Sequence, residues 1–110
     1  MIARVWHGYT TPGNADAYRE LLTTKILPRI EAEHGCGVHL YVRDVAQAGE
    51  VEFVTTCFFK SVEQIKQFAG DDYEACVVPA EARALLKRFD ERSQHYELVR
   101  DSYSERGQQT

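Results

Sequence analysis

The chain has 110 residues, a formal net charge of -4 at pH 7 and 44% hydrophobic residues. This length suits one domain, and the acidic balance argues against a nucleic-acid-binding protein, which typically carries a basic surface. No apolar run approaches the roughly 20 residues that a membrane span needs, and the N-terminus lacks the pattern of a signal peptide. We therefore expect a cytoplasmic protein with no membrane partner.

The first predicted elements are a strand and a long helix. Residues 2–10 are rich in aromatic and β-branched side chains and contain no breaker, which predicts a strand. A helix is predicted from Ala15 to about His34, because apolar side chains recur there at three- and four-residue steps. These side chains are Tyr18, Leu21, Leu22, Ile26 and Ile30. Pro28 lies inside the pattern and predicts a kink, since it removes one backbone donor.

The next two predicted strands form a hairpin. The first covers residues 38–45, and a short link leads into the second, the stretch VEFVTTCFFKS at residues 51–61. Strand side chains alternate between faces, and both faces of VEFVTTCFFKS carry apolar side chains. The sequence therefore predicts that both faces of this strand are covered.

The rest of the chain predicts two helices, one strand and a tail. A helix is predicted over 61–69, a second over 80–89, a strand over 92–100 and a polar, frayed tail over 101–110. Ser61 and Gln64 match a capping box at the start of the first of these helices. Residues 1–100 would then form a single domain.

The order of elements predicts an α+β fold of the ferredoxin-like, split βαβ type, with one four-stranded antiparallel sheet and helices on one face. By alternation we place Trp6, Tyr41, Phe53 and Phe59 on the face without helices. An exposed apolar face of this size usually marks an interaction site. We therefore predict a homodimer that packs sheet to sheet through this open face.

Five strings of the sequence resemble the antibiotic biosynthesis monooxygenase domain family. They are MIARVWHGYTTP, GVHLYVRDV, VEFVTTCFFKS, SVEQIKQFAGDDYEACVVP and RFDERSQHYELV, and together they span nearly the whole domain. The resemblance implies a dimeric α/β barrel with one pocket per subunit between sheet and helices. Its members include cofactor-free oxygenases of aromatic quinols and haem-degrading enzymes.

The residues that these two enzyme groups use are absent at the matching positions. Haem-degrading members use an Asn on the first strand, a Trp on the second helix and a His on the next, where this chain has Trp6, Phe68 and residues 75–78 without a His. The quinol oxygenases carry an Asn and a Trp on the third strand, where Thr55 and Phe59 stand here. The resemblance thus argues against haem degradation and does not transfer the oxygenase residues one by one.

Seven residues form the predicted pocket. They are Arg4, Trp6, His39, Tyr41, Thr55, Phe59 and His95, the first six placed by alternation on the face away from the helices. An aromatic pocket with a few polar groups is the usual form of a small-molecule site. We assign His39 or His95 as the base that deprotonates a phenol and Arg4 as the residue that stabilises the anion. Trp6, Tyr41, Thr55 and Phe59 would bind the substrate.

The same residues have a structural interpretation. The aromatic side chains would then be dimer core, and the histidines hydrogen-bonded strand residues. The H-x-C-x-x-H pattern of His34, Cys36 and His39 has ligand types for zinc, but a closed site needs a fourth ligand and His39 lies in a predicted strand, so we predict no metal.

Three functions follow as hypotheses, the third being an isomerase on the same scaffold. The first is a cofactor-independent monooxygenase that acts on a small phenolic or quinol-like aromatic compound. The second is a non-catalytic dimeric module of the same fold that binds a small ligand or a partner protein.

Overall fold

The computed structural model describes residues 1–103, so most of the predicted tail, from residue 104 onward, lies outside the described residues. The strands are β1 (Ile2–Thr10), β2 (Gly37–Val45), β3 (Glu50–Phe59), β4 (Arg88–Phe89) and β5 (Gln94–Glu97). The α-helices are α1 (Ala15–Leu21), α2 (Leu27–His34), α3 (Val62–Ala69) and α4 (Ala80–Arg83). A π-helical segment, Leu22–Ile26, joins α1 to α2, and 3-10 turns lie at Pro12–Asn14 and Ala46–Ala48.

The strands form one antiparallel sheet in the order β2-β3-β1-β4, and β5 pairs with β1 beside β4. This is the strand order of a ferredoxin-like fold, so the predicted α+β fold class is confirmed. The sheet has five strands rather than four because its last edge strand consists of two pieces. Both pieces, β4 and β5, pair with the edge of β1 that β3 does not use.

The backbone stays helical from α1 to α2, and the segment between these two α-helices is π-helical. The N–H of Leu27 donates to the carbonyl of Leu22, five residues back, at the start of α2. Pro28 follows directly, and a π turn is one way in which a helix adapts to a missing backbone donor. Within residues 1–103, no helix is long and apolar enough to cross a membrane.

The predicted helix over residues 80–89 is wrong in its second half. The helix α4 ends at Arg83, and the N–H of Lys87 donates to the carbonyl of Tyr9 at 2.7 Å. Phe89 then pairs with Gly8 in the sheet. The apolar spacing of this segment favours a helix, but its backbone pairs with the free edge of β1 instead. An unpaired strand edge offers N–H and C=O groups that another segment can bind.

The register of the strands determines which side chains share each face of the sheet. Strand β1 pairs with β3 so that Trp6 lies opposite Thr55, and β2 pairs with β3 so that Leu40 also lies opposite Thr55. The face that these residues share packs against the helices. Phe53 on this face is fully buried, and its ring meets Tyr18 of α1 edge to face at 4.8 Å between centroids.

The opposite face carries partly exposed apolar and aromatic side chains. They include Val5, Tyr41, Val54, Phe58 and Tyr96. Tyr41 and Tyr96 are 55% and 57% exposed, so this face is open in a single chain. The predicted uncovered face exists, but it holds Tyr41 and not Trp6, Phe53 or Phe59, for which the predicted side was wrong.

Glu50 at the start of β3 is buried and forms an ion pair with two basic residues. Both of its carboxylate oxygens accept hydrogen bonds from Arg88 at 3.0 Å, and Lys87 lies at 3.3 Å. The hydrogen bonds from Arg88 hold the pKa of Glu50 below its ordinary value.

We expect the Glu50→Gln variant to lose less stability in acid than the wild type. A carboxyl group whose pKa is lowered by folding stabilises the fold above its unfolded pKa, and this contribution is lost as the pH falls through the folded pKa. Urea unfolding at pH 7 and at roughly pH 3 measures the difference. The exposed Glu20→Gln change is the matched control, and an equal acid loss in Glu50→Gln and wild type would contradict the prediction.

Candidate functional site

A cavity of about 60 Å³ lies between the sheet and the long helix. Arg4, Trp6, Thr55 and Cys57 form its floor on the helix-facing side of the sheet. The other walls are mainly apolar side chains of the long helix, Phe68 of α3 and the irregular segment 77–79. The cavity thus combines an apolar enclosure with one strongly polar residue, which is the usual composition of a small-molecule site.

Arg4 is the charged residue of this cavity and is 4% exposed. Its Nη1 donates to the carbonyl oxygen of Tyr73, and its Nη2 donates to the carbonyl oxygen of Ala75 at 2.9 Å. Its guanidinium also lies 5.4 Å from the ring centroid of Phe68. Burial lowers the pKa of Arg4, but an arginine guanidinium stays protonated in proteins, so the cavity wall keeps a positive charge.

His95 lies opposite Arg4 in the pairing of β5 with β1, and its Nε2 is 2.9 Å from Nη1 of Arg4. Since Arg4 can only donate, Nε2 must accept, and the proton of the neutral imidazole is assigned to Nδ1. Burial and the charge of Arg4 lower the pKa of His95, which favours this neutral form. The Nδ1 atom is buried and has no hydrogen-bond partner among residues 1–103.

Trp6 is fixed as a cavity wall by the segment that follows β4. Its Nε1 donates to the carbonyl oxygen of Asp90 at 2.7 Å, and its ring lies 5.8 Å from that of Phe89. The carboxylate of Asp90 binds His7 on the other sheet face, with Oδ2 2.7 Å from Nδ1. The indole therefore has little freedom to leave the cavity.

The structure brings together four of the seven predicted pocket residues. Arg4, Trp6 and Thr55 line the cavity, and His95 contacts Arg4 behind it. Phe59 is fully buried in a separate cluster with Cys36, Cys57 and Ile65, so the structure places it in the core.

His39 and Tyr41 lie on the opposite face of the sheet. His39 pairs with Thr56, and its Nδ1 is 2.9 Å from the hydroxyl of Tyr41. The prediction that six of the pocket residues share the face away from the helices is therefore wrong. The register pairs even-numbered residues of β2 with odd-numbered residues of β3, so His39 and Tyr41 cannot share a face with Thr55.

Of the residues that line the cavity, only Arg4, Trp6 and Thr55 are among the predicted pocket residues. Phe68 and Cys57 are two of the lining residues that the sequence did not predict. The thiol of Cys36 and burial both raise the pKa of Cys57, so this thiol stays protonated at neutral pH and is a poor nucleophile. No signal in the sequence separates a cavity wall from a packed core at these positions.

Residues 1–103 contain no group of three or more His, Cys, Asp or Glu side chains placed to hold a metal ion. Of the H-x-C-x-x-H pattern, Cys36 is buried in the core, and His39 is exposed on the open sheet face.

Comparison with known proteins supports the fold. No family model matches the chain. No curated protein matches it either. Among solved structures, the chain is similar to the structure of Rv0793 from Mycobacterium tuberculosis, with a TM-score of 0.53 and 21% identity. The similarity covers 92% of this chain and 97% of that one, so the two share one small α/β architecture over most of their length.

Proposed function

We propose that this chain is a cofactor-independent monooxygenase that acts on a small phenolic or quinol-like aromatic compound in the cavity between sheet and helices. The observation that carries this proposal is the buried charge of Arg4 on the wall of an otherwise mainly apolar cavity. A cation in such an environment favours the phenolate over the phenol, because electrostatic interactions are stronger where water is excluded.

The phenolate is the electron-rich form that can pass electrons to dioxygen. In the overall reaction the substrate loses two hydrogen atoms and gains one oxygen atom, and the second oxygen atom leaves as water. The substrate itself supplies all four electrons that reduce dioxygen, so no further reductant is needed. The protein contributes the enclosure, through Trp6 and Phe68, and the positive charge of Arg4.

Of the two candidate histidines, only His95 has a role in this proposal. His39 lies on the other sheet face and cannot reach the cavity of its own chain. His95 uses its Nε2 lone pair to accept a hydrogen bond from Arg4, so we assign it as a positioning residue for the guanidinium. The substrate proton then passes to solvent once Arg4 has lowered the pKa of the bound phenol.

Oxygen uptake with a panel of dihydroxy-aromatic compounds tests the function and both histidines. We expect wild type and His39→Ala to consume oxygen at rates within about twofold of each other, and His95→Ala to lose roughly tenfold or more. His95→Asn, whose side-chain oxygen can still accept from Arg4, should recover part of the rate. Equal rates in wild type, His39→Ala and His95→Ala would show that neither histidine contributes to the reaction. The absence of oxygen uptake with every compound would reject the oxygenase.

A non-catalytic binding module is the second candidate, and the placement of the histidines favours it. His39 lies on the other sheet face, and the Nε2 lone pair of His95 is already used by Arg4, so neither is a base in the cavity. Calorimetry with the same panel separates the two candidates. Binding without oxygen uptake would support the module, and binding with uptake would support the enzyme.

The proposed assembly is a homodimer through the open sheet face. This face presents Val54 at its centre, between His7 on β1 and Tyr41 on β2. Partly exposed aliphatic and aromatic side chains on one face, here Val54, Phe58 and Tyr41, are typical of protein interfaces.

We expect analytical ultracentrifugation to show a dimer for the wild type and a monomer for Val54→Asp, because a charge at the centre of an apolar interface is strongly unfavourable. Val62→Asp, on the exposed surface of α3, is the matched control and should remain dimeric. A monomeric wild type at micromolar concentration would reject the proposed assembly.

A further inference from the structure

The charge of Arg4 has no opposite charge beside it in the described part of the chain. None of the ion pairs within residues 1–103 includes Arg4, and its hydrogen bonds go to two carbonyl oxygens and a neutral imidazole. Glu74 acts on Arg4 only from a distance, and its own carboxylate lies 3.5 Å from Arg92. A buried cation without an anion is costly, so this arrangement favours a ligand that brings a negative charge.

The hydrogen bonds of Arg4 leave room for such a ligand. A guanidinium has five N–H donors, and three of them are used by Tyr73, Ala75 and His95. The two that remain match the two oxygens of a carboxylate, which arginine binds in bidentate fashion. A phenol arrives neutral and offers one oxygen, whereas a carboxylic acid is already ionised at neutral pH.

We infer that the cavity takes small aromatic carboxylates, with the carboxylate bound to Arg4 and the ring enclosed by the apolar walls. This inference rests on the proposed function in one respect, that the same cavity holds the aromatic ring of the substrate. It narrows the substrate class to phenolic compounds that carry a carboxylate beside the hydroxyl group, so that the positive charge of Arg4 faces both groups.

The cavity of about 60 Å³ is smaller than a benzene site, so one wall must move for a ring to enter, and segment 70–79 is the wall without a regular helix or strand. Val77, Val78 and Pro79 of this segment line the cavity, and Arg4 holds it through the carbonyls of Tyr73 and Ala75. The carboxylate takes the two N–H groups of Arg4 that remain, so these two bonds persist when the ligand binds.

Calorimetry of the full chain with benzoate and its neutral analogue benzamide tests the inference. We expect benzoate to bind wild type at least about tenfold more tightly than benzamide, because charge-assisted hydrogen bonds are roughly twice as strong as neutral ones. Arg4→Gln should lose this preference, and Arg19→Gln, on the exposed face of α1, should keep it.

Three results would overturn the inference: equal affinities for benzoate and benzamide in wild type, binding of neither, or a preference that survives in Arg4→Gln. If Arg4→Gln fails to fold, as judged by circular dichroism, the wild-type comparison decides alone. Phenol as a third ligand separates a phenolate site from a carboxylate site, since tighter binding of phenol than of benzoate rejects the inference but leaves the proposed oxygenase intact. A benzoate preference without oxygen uptake by any phenol supports the inference and rejects the proposed oxygenase.

Discussion

Replacing Phe59 with Ala is expected to lower the free energy of unfolding by about 3–5 kcal/mol, the range typical of a large aromatic side chain removed from a core. The ring of Phe59 has no exposed surface and packs with Cys36, Cys57 and Ile65. Its centroid also lies 5.8 Å from that of Phe68, so the cavity left behind would border the wall of the proposed site. Urea unfolding followed by circular dichroism measures the loss.

Phe58→Ala is the control for this change, since Phe58 is the neighbouring residue and points to the other sheet face. Phe58 is only partly buried, so at low protein concentration its replacement should lower the free energy of unfolding by less than Phe59→Ala does. If the open face is covered by a second copy, the cost of Phe58→Ala should grow as the protein concentration rises, whereas that of Phe59→Ala should not. A loss below about 1 kcal/mol for Phe59→Ala would show that its surroundings are not a packed core.

The contrast between these two phenylalanines shows where sequence reasoning stops. Alternation correctly separates Phe58 from Phe59, but it does not say which of the two faces meets the helices. Both faces of β3 are apolar, so composition favours neither side. The face that meets the helices is determined by the register with β2 and by the packing of Phe53 against Tyr18. Both depend on contacts between residues that are distant in the chain.

Local signals, in contrast, predict several strands and helix ends correctly. The strand at residues 2–10 agrees with β1 residue for residue, and the hydroxyl of Ser61 accepts from the N–H of Gln64 at 3.2 Å, as the capping pattern predicts. Gly35 takes the left-handed conformation that ends α2, with φ of 62°. These features depend on neighbours within a few residues, which a sequence pattern records directly.

The site depends on contacts that no local pattern records. Arg4 and His95 are 91 residues apart and meet only because β5 pairs with the free edge of β1. The pairing of Arg4 with the carbonyls of Tyr73 and Ala75 arises in a segment without regular structure, for which periodicity gives no prediction. The residue types of the pocket were therefore partly predicted, whereas the partners that determine their chemistry were not.

The variant Arg4→Gln is expected to reduce kcat/KM for oxygen uptake by about 10²–10³, the loss typical of removing one group that stabilises a developing oxyanion. The amide of Gln can still donate a hydrogen bond, but it brings no charge to favour the phenolate. The deficit should shrink as the pH rises toward the pKa of the free phenol, roughly 10, because the substrate then ionises without help. Initial rates in an oxygen electrode across this pH range measure the effect.

Arg19→Gln makes the same chemical change on the exposed face of α1 and should leave the rate unchanged at every pH. Arg4→Lys retains a positive charge but not the planar fork, so it should fall between wild type and Arg4→Gln. A deficit in Arg4→Gln that stays constant with pH would mean that the guanidinium supports the fold of segment 70–79 and not the phenolate. The assignment of Arg4 as the anion-stabilising group would then be wrong, even if the chain consumes oxygen.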